Sequence, residues 1–480
     1  MKIKTVVTLS LLHLLIVTSG DLGAQNRQRS VALNRFSFDL YRETKAPRQN
    51  MFISPLSVYQ ALWMAYEGAQ SGTREEFKKV LYLKDSGSPK KADGVVFAAP
   101  GDNYPGLSIA NAVWADQTLN IKDSYRKAVS DQSNADFRQV DFTRPGKSAS
   151  DINAWVAEKT NHRIDKIVSA ENFSGETRLI LTNAVYFNDE WLEKFDKRQT
   201  RPASFFASGE DLYTVDFMQM KVILPYYENE AFQFISKPYK SSSLSFCILL
   251  PKKLFGIEEI EKEMNSALLD RVLDSTGYAK TLLTMPKMKM ESAFELTQAL
   301  KKAGLTSAFS GEADFSGISQ EKPLSLGPVI HKTWLALDEE RTEVAAATSV
   351  IVVGHATLDA FKVFKADHPF VFFIMDNHTR AILFMGRYVQ PLTGGNTAEA
   401  KENLALKIEK RQSEPFHVGD QLRETLYIVD EKIVTYGEFK AINPEEIESV
   451  KVSKNSEEIR KYAEGNYNGM VIISMKKTVK

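Results

Sequence analysis

Residues 335–358 read LALDEERTEVAAATSVIVVGHATL, a run that suits neither a settled core nor an ordinary loop. Charged residues give way to Val344, Ala345, Ala346 and Ala347, and then to Thr348, Ser349, Val350, Ile351, Val352 and Val353. Small and β-branched residues of this kind sit well in the middle of a sheet. Gly354, His355, Ala356 and Thr357 then interrupt the run like an exposed turn. One reading is a single long hairpin strand. The sharper reading is a segment exposed in one state and inserted into a sheet as an extra strand in another. Small side chains at 344–349 would slide between neighbouring strands at little steric cost, and insertion would convert stored strain into ladder hydrogen bonds and buried apolar area.

The rest of the chain supplies sheets in number. Leu179 to Phe187 is almost continuously apolar, as expected of a strand at the centre of a sheet. Strand patterns recur at 107–114, 212–224, 231–236, 244–250, 281–290, 327–337, 370–375 and 381–389. Helical spacing marks 31–45, 55–83, 120–136, 149–168 and 293–303, with Pro55 near a helix start after Ser54. The mixture is α+β, and residues 84–106, rich in Gly, Pro, Lys and Asp, read as a surface excursion. Thr393 to Ala405 is polar and weakly patterned, and marks a domain boundary. Beyond it, strands at 426–429, 447–452 and 470–475 and a short helix at 457–463 suffice for a small two-layer domain. At the other end, Lys2 and Lys4 precede an apolar run from Val6 to Val17, too short to span a bilayer comfortably, and small residues follow up to Ala24. This predicts a secretory signal peptide cleaved after Ala24. The resulting organisation is 1–24 signal, 25–392 main domain, 393–419 linker and 420–480 small α/β domain.

Chemistry is hard to find. Lys plus Arg and Asp plus Glu each number 61, so no global field draws the molecule to nucleic acid. The lone cysteine, Cys247, lies in the apolar strand LSFCILL and reads as buried and structural. Asp338, Glu339, Glu340 and Glu343 form the densest carboxylate group, but without histidine partners or calcium-loop spacing they read as a solvated cluster. There is no nucleophile elbow, phosphate loop or dinucleotide fingerprint. The expectation is a protein that is no enzyme and has no cofactor or metal site.

A series of motifs resembles those of the serpin family. They begin with Asn50-Met51-Phe52-Ile53-Ser54-Pro55-Leu56-Ser57, continue through Glu67-Gly68-Ala69, Gly72-Thr73 and Glu76, and include Ile152-Asn153-Ala154-Trp155-Val156 with Lys159-Thr160. Thr182-Asn183-Ala184-Val185-Tyr186-Phe187 with Trp191 and Phe195 follows, then Leu283 to Lys289 and Ala313-Asp314-Phe315-Ser316-Gly317-Ile318. His331-Lys332, Asp367-His368-Pro369-Phe370 and Ile382-Leu383-Phe384-Met385-Gly386-Arg387 complete a match over about 31–391. The resemblance implies an α+β serpin fold: a large mixed sheet, smaller sheets, surrounding helices and an exposed reactive loop. It implies inhibition of a serine or cysteine protease, which cuts the loop, becomes acyl-linked and is deformed as the freed upstream half enters the large sheet.

The roles it implies fall on particular residues. Glu339 stands at the top of the strand feeding the loop, Thr342 is the first side chain inserted, Glu343 points to solvent, and Val344, Ala345, Ala346 and Ala347 form the hinge. Ser54, Ser57, Asn183 and His331 lie under the opening point of the sheet, with Trp191 where the loop enters. Arg341 departs from the glycine usual before the hinge threonine, which sustains a non-inhibitory binding or protective serpin as the alternative. The family's usual loop length, counted from Glu339, places the cleaved bond after His355. The stretch to Pro369 is a few residues longer than usual, which leaves Val353, Gly354, His355, Ala356, Thr357 and Leu358 open. Neither Arg nor Lys occurs between Arg341 and Lys362, so a trypsin-like target fits poorly. The expected molecule is a monomer before it meets its protease and takes no nucleic acid. The tail, through Leu426-Tyr427-Ile428-Val429-Asp430, Ile442-Asn443-Pro444-Glu445-Glu446-Ile447-Glu448-Ser449-Val450, Tyr462-Ala463-Glu464-Gly465 and Asn468-Gly469-Met470-Val471-Ile472-Ile473, resembles part of the plug domain of energy-dependent outer-membrane receptors. With the signal peptide it implies a bacterial source, a periplasmic, cell-surface or secreted location, and an envelope or surface partner for the tail.

Overall fold

Leu179–Phe187 forms a strand buried at every one of its nine positions, which explains why its apolar run does not alternate. The computed structural model describes residues 31–83, 106–133, 136–173, 176–207, 212–241, 243–321, 323–340 and 361–391, with parts of 426–475. The segments 1–24, 84–105 and 393–419, and most of 457–463, lie outside the described residues. The chain divides into two compact units, Met1–Leu392 and Thr393–Lys480.

In the first unit a helix over 31–44 (α1) precedes strand β1 (Met51–Ile53) and helices α2 (Pro55–Gly68) and α3 (Ser71–Val80). Then come β2 (Leu107–Asp116), α4 (Asp123–Ser133), β3 (Asp136–Val140), α5 (Pro145–Lys159), β4 (Leu179–Phe187), β5 (Arg201–Phe206), β6 (Leu212–Glu228), β7 (Phe232–Pro238) and β8 (Leu244–Pro251). Helices α6 (Ile257–Glu263) and α7 (Ser266–Ser275), strands β9 (Gly277–Pro286) and β10 (Met288–Glu295), and α8 (Thr297–Lys302) lead to β11 (Val329–Leu337), β12 (Lys362–Lys365), β13 (Phe370–Asp376) and β14 (Ile382–Tyr388). One mixed sheet has five strands in the order β10-β11-β4-β2-β3. A second has nine, in the order β1-β14-β13-β8-β7-β6-β9-β12 with β5 beside β6. The second unit holds a sheet ordered β16-β15-β18-β17 from β15 (Leu426–Val429), β16 (Lys432–Val434), β17 (Ile447–Ser453) and β18 (Met470–Met475).

Helix α2 joins the two larger sheets. Ser54 caps it by accepting from the Ser57 amide, Pro55 occupies its first turn, and nearly all its side chains are buried. It is apolar all round because it packs on β2 and β4 on one side and β14 on the other. Polar motif residues pin connections: the Asn153 side chain accepts from the Ile167 and Val168 amides at 2.8 and 3.0 Å, and Glu76 accepts from the Thr306 and Ser307 amides, both at 2.8 Å. Gly317 donates to Gly68 O at 3.1 Å. A Cβ on Gly317 would meet that oxygen at 2.6 Å, so the close approach demands glycine.

Several element boundaries differ from the sequence reading. Helix α5 starts at Pro145 rather than 149 and stops at Lys159 rather than 168. Asn161 and His162 adopt φ of 50° and 55°, which a right-handed helix cannot continue through. Residues 55–83 are two helices, not one. The expected helix over 120–136 ends at Ser133, and Asp136 opens β3 in register with Ala112. The run 281–290 is two strands broken at Lys287. Ala293–Glu295, expected as helix, extends β10 because pairing with β11 outweighs local helical spacing.

Candidate functional site

Sheet register assembles a polar row from distant parts of the chain. Phe294 of β10 lies opposite His331 of β11, His331 opposite Asn183 of β4, and Asn183 opposite Asn111 of β2. Residues in register share a face, and here that face looks onto the start of α2. The His331 ring stacks on Phe294 at 6.4 Å between centroids. Its Nε2 accepts from the Ser54 amide at 3.0 Å, so Nδ1 carries the proton and donates to Asn183 Oδ1. The Asn183 amide donates to Ser57 Oγ and Asn111 Oδ1, Ser57 Oγ donates to Asn111 Oδ1 at 3.3 Å, and Asn111 Nδ2 donates to Gln60 Oε1 at 3.1 Å. Ser54 Oγ donates to Leu383 O in β14 at 2.8 Å. Apart from Phe294, which is half-buried, all these residues are buried. Burial holds the imidazole neutral, with its pKa pushed down to about 3.

Strands β11 and β4 are parallel, and their ladder runs from Val329–Leu181 to Trp334–Tyr186. β11 continues to Leu337, paired with β10; above Trp334 no pairing with β4 occurs among the described residues. The segment after β4 closes this end. Trp191 Nε1 donates to Asp338 O at 2.9 Å, the Phe195 amide donates to Glu339 O at 3.0 Å, and Lys197 pairs with Glu340 at 2.9 Å. Glu339 is only 4% exposed. Its carboxylate accepts from Thr200 Oγ1 at 2.7 Å and pairs with Lys287 at 3.0 Å. Burial raises its pKa, but the bonds from Thr200 and Lys287 outweigh burial and hold it below the ordinary glutamate value. The expectation that the 338–343 carboxylates form a solvated cluster is therefore corrected at Glu339. Thr200 and Lys287, remote in sequence, supply the partners that let a carboxylate be buried.

Trp191 is buried and stacks on Tyr239 at 4.7 Å with planes 6° apart. Below the Trp191–Phe195 pair lies a residue the sequence reading missed. Lys237 is 1% exposed. Its ammonium faces the rings of Trp191 and Phe195 at 5.1 and 4.8 Å and donates to Glu193 O at 2.7 Å. Burial lowers its pKa to about 7. Asn111 and Gln60 were missed too; a polar residue among the alanines of ANAVWA was the available signal for Asn111. Cys247 is buried as expected, its thiol pushed up to about 12 by burial. The structure brings together Ser54, Ser57, Asn183 and His331, and places Trp191 and Glu339 at the upper end of β11. Arg341, Thr342, Glu343, Val344 to Ala347 and Val353 to Leu358 lie outside the described residues.

Residues 31–391 match the family described as serpin (serine protease inhibitor). A Thermococcus kodakarensis protein named an uncharacterized serpin-like protein is 36% identical over 394 residues, covering 78% of this chain and 89% of the relative. The leukocyte elastase inhibitor of Equus caballus is 34% identical over 382 residues, covering 76% of this chain and all of the relative. The solved structure of Serpin48, described as a highly specific serpin in the insect Tenebrio molitor, superposes with a TM-score of 0.67 at 30% identity over 76% of this chain and 98% of its own.

Proposed function

Since this chain belongs to the serpin family, whose members are typically protease inhibitors rather than catalysts, we propose that it traps a serine or cysteine protease as an acyl-enzyme by loop insertion. One observation carries the reading. The parallel β11–β4 pair stops at Trp334–Tyr186, while the chain leaves β11 at that same open end through Asp338 and Glu339. A segment that folded back there would run antiparallel to both neighbours, replacing one parallel ladder by two antiparallel ones, which are the more stable kind. Release of Trp191, Phe195 and Thr200 from residues 338–339 would free the entrance. Small residues at Val344 to Ala347 suit the passage.

The protease would cut within Val353 to Leu358 and be carried along while still ester- or thioester-linked. Distortion would misplace its nucleophile, base and oxyanion donors, so hydrolysis of the acyl bond stalls. The absence of Arg and Lys between Arg341 and Lys362 favours an apolar-preferring serine protease or a papain-like cysteine protease over a trypsin-like one. Arg341 favours one second reading, a serpin that binds or protects without trapping. We also assign export with removal of residues 1–24, to the periplasm, cell surface or medium, and a docking or spacing role at an envelope partner for residues 420–480. Incubation with a panel of serine and cysteine proteases tests the main reading. A band at the summed mass that survives denaturing electrophoresis is expected. Cutting of the loop with no such band, and no rise in melting temperature, would establish the second reading instead.

A further inference from the structure

The outer face of β6, β9 and β12 carries cations and apolar side chains that no described residue covers. Register places Lys221 opposite Leu282, Ile223 opposite Lys280 and Pro225 opposite Tyr278, with Val363 beside Leu282 on the far strand. Tyr278 is 81% exposed, Ile223 and Val363 each 58%, and Phe361 42%. Lys221 lies 5.4 Å from the centre of the Phe361 ring. Neither Lys221 nor Lys280 pairs with a carboxylate among the described residues, and the positions that alternate with Lys221 on β6, Lys280 on β9 and Val363 on β12 hold no Asp or Glu; Asp216, exposed near the start of β6, has the opposite parity. Glu228, at the end of β6, is already held by Lys252 and Lys362 at 3.1 and 2.7 Å.

Position decides what meets this face. β12 begins where the segment 341–360 ends. A bond cut between Val353 and Leu358 is three to eight residues from Phe361, a reach of at most about 10–29 Å. A protease domain of about 230 residues is roughly 40 Å across, so its body overhangs the strands next to Phe361. We propose that Lys221, Ile223, Tyr278, Lys280, Phe361 and Val363 form a secondary docking surface for the target protease. It selects enzymes that carry acidic and apolar groups beside the active-site cleft. The proposal rests on the loop-cleavage reading above and deepens it. Unpaired lysines on a rim act chiefly on the association rate, whereas the exposed apolar side chains give the contact area to bury.

The test uses the full chain and two surface variants, K221E/K280E and I223S/Y278S, against apolar-preferring serine proteases of graded isoelectric point at low and high salt. With acidic proteases K221E/K280E should lower the second-order rate constant about tenfold at low salt and flatten its salt dependence. With basic proteases the change should vanish or reverse. I223S/Y278S should slow all members at either salt, and the moles of inhibitor consumed per mole of enzyme should stay the same in every case. Equal rate constants for wild type and both variants across the panel overturn the docking surface. Cutting without a denaturation-resistant complex overturns the trapping reading alone, because the charge dependence of the cutting rate still reports docking. A dimer of wild type that K221E/K280E dissociates identifies a second copy of the chain as the occupant and overturns the protease assignment. A chain cut by no member overturns both.

Discussion

His331 and Lys237 are both buried bases, and each makes stability depend on pH in its own window. His331 has a folded pKa near 3 against about 6.5 unfolded. Between those values the unfolded chain binds the extra proton, so stability rises with pH there. The contribution is complete above the unfolded value and is lost as pH falls towards the folded one, up to about 5 kcal/mol in the limit. A proton on Nε2 would also face the Ser54 amide, a donor against a donor. H331Q should therefore flatten the loss of melting temperature between neutral pH and pH about 4. An equally steep loss in wild type and variant would rule out His331 as the titrating group. Lys237, lowered to about 7 by burial, gains its proton in the unfolded chain first as pH falls from about 10.5. Stability drops through that interval and the cost stays constant below pH 7. K237M should raise stability at neutral pH by about 1–4 kcal/mol, with an advantage over wild type that shrinks as pH approaches 10. A variant less stable than wild type at pH 7 would mean that the Glu193 hydrogen bond and the Trp191 and Phe195 rings offset the desolvation of the amine.

At the scale of elements, the decisive pair is β11 and β4, joined lower down and unpaired above Trp334. The proposed insertion competes with hydrolysis of the acyl bond, so a residue that delays the first step shifts the outcome from trapping to turnover. T342R places a charged, bulky group at that step. It should still be cut, but with many more moles of protein consumed per mole of enzyme inactivated. Normal trapping by T342R would refute the hinge register that begins at Thr342. R341G is the informative companion: a larger trapped fraction would show that Arg341 retards the hinge, and an unchanged one that it faces water. Strand edges explain where sequence reading of elements failed. Ala293–Glu295 has helical spacing, yet its backbone groups find partners on β11, and Asp136 leaves a helical pattern for the edge of β2. Pairing partners that lie far along the chain are invisible to a local window.

For the whole molecule, β13 and β14 complete the nine-stranded sheet by Tyr388, and the first compact unit ends at Leu392. A chain ending at residue 392 should inhibit with an unchanged rate constant and stoichiometry, as measured beside the full chain. A folded truncation that fails to inhibit would place the second unit within the mechanism. By itself the sequence determined the α+β class, the central position of Leu179–Phe187, the burial of Cys247 and, through its ordered motifs, the family. These are local signals: an apolar run, a capped helix start at Ser54–Pro55, a string of small residues. Tertiary structure alone decided the contacts. Asn183 and His331 meet across 148 residues of chain because β4 and β11 pair in one register, and a one-residue slip would turn both away. Glu339 reads as solvated until Thr200 and Lys287 arrive from other elements. Lys237, just beyond the strand expected over 231–236, becomes a buried base only because Trp191 and Phe195, on the segment after β4, close over it. Burial belongs to what packs on a residue from elsewhere in the chain, and no pattern of nearest neighbours encodes that.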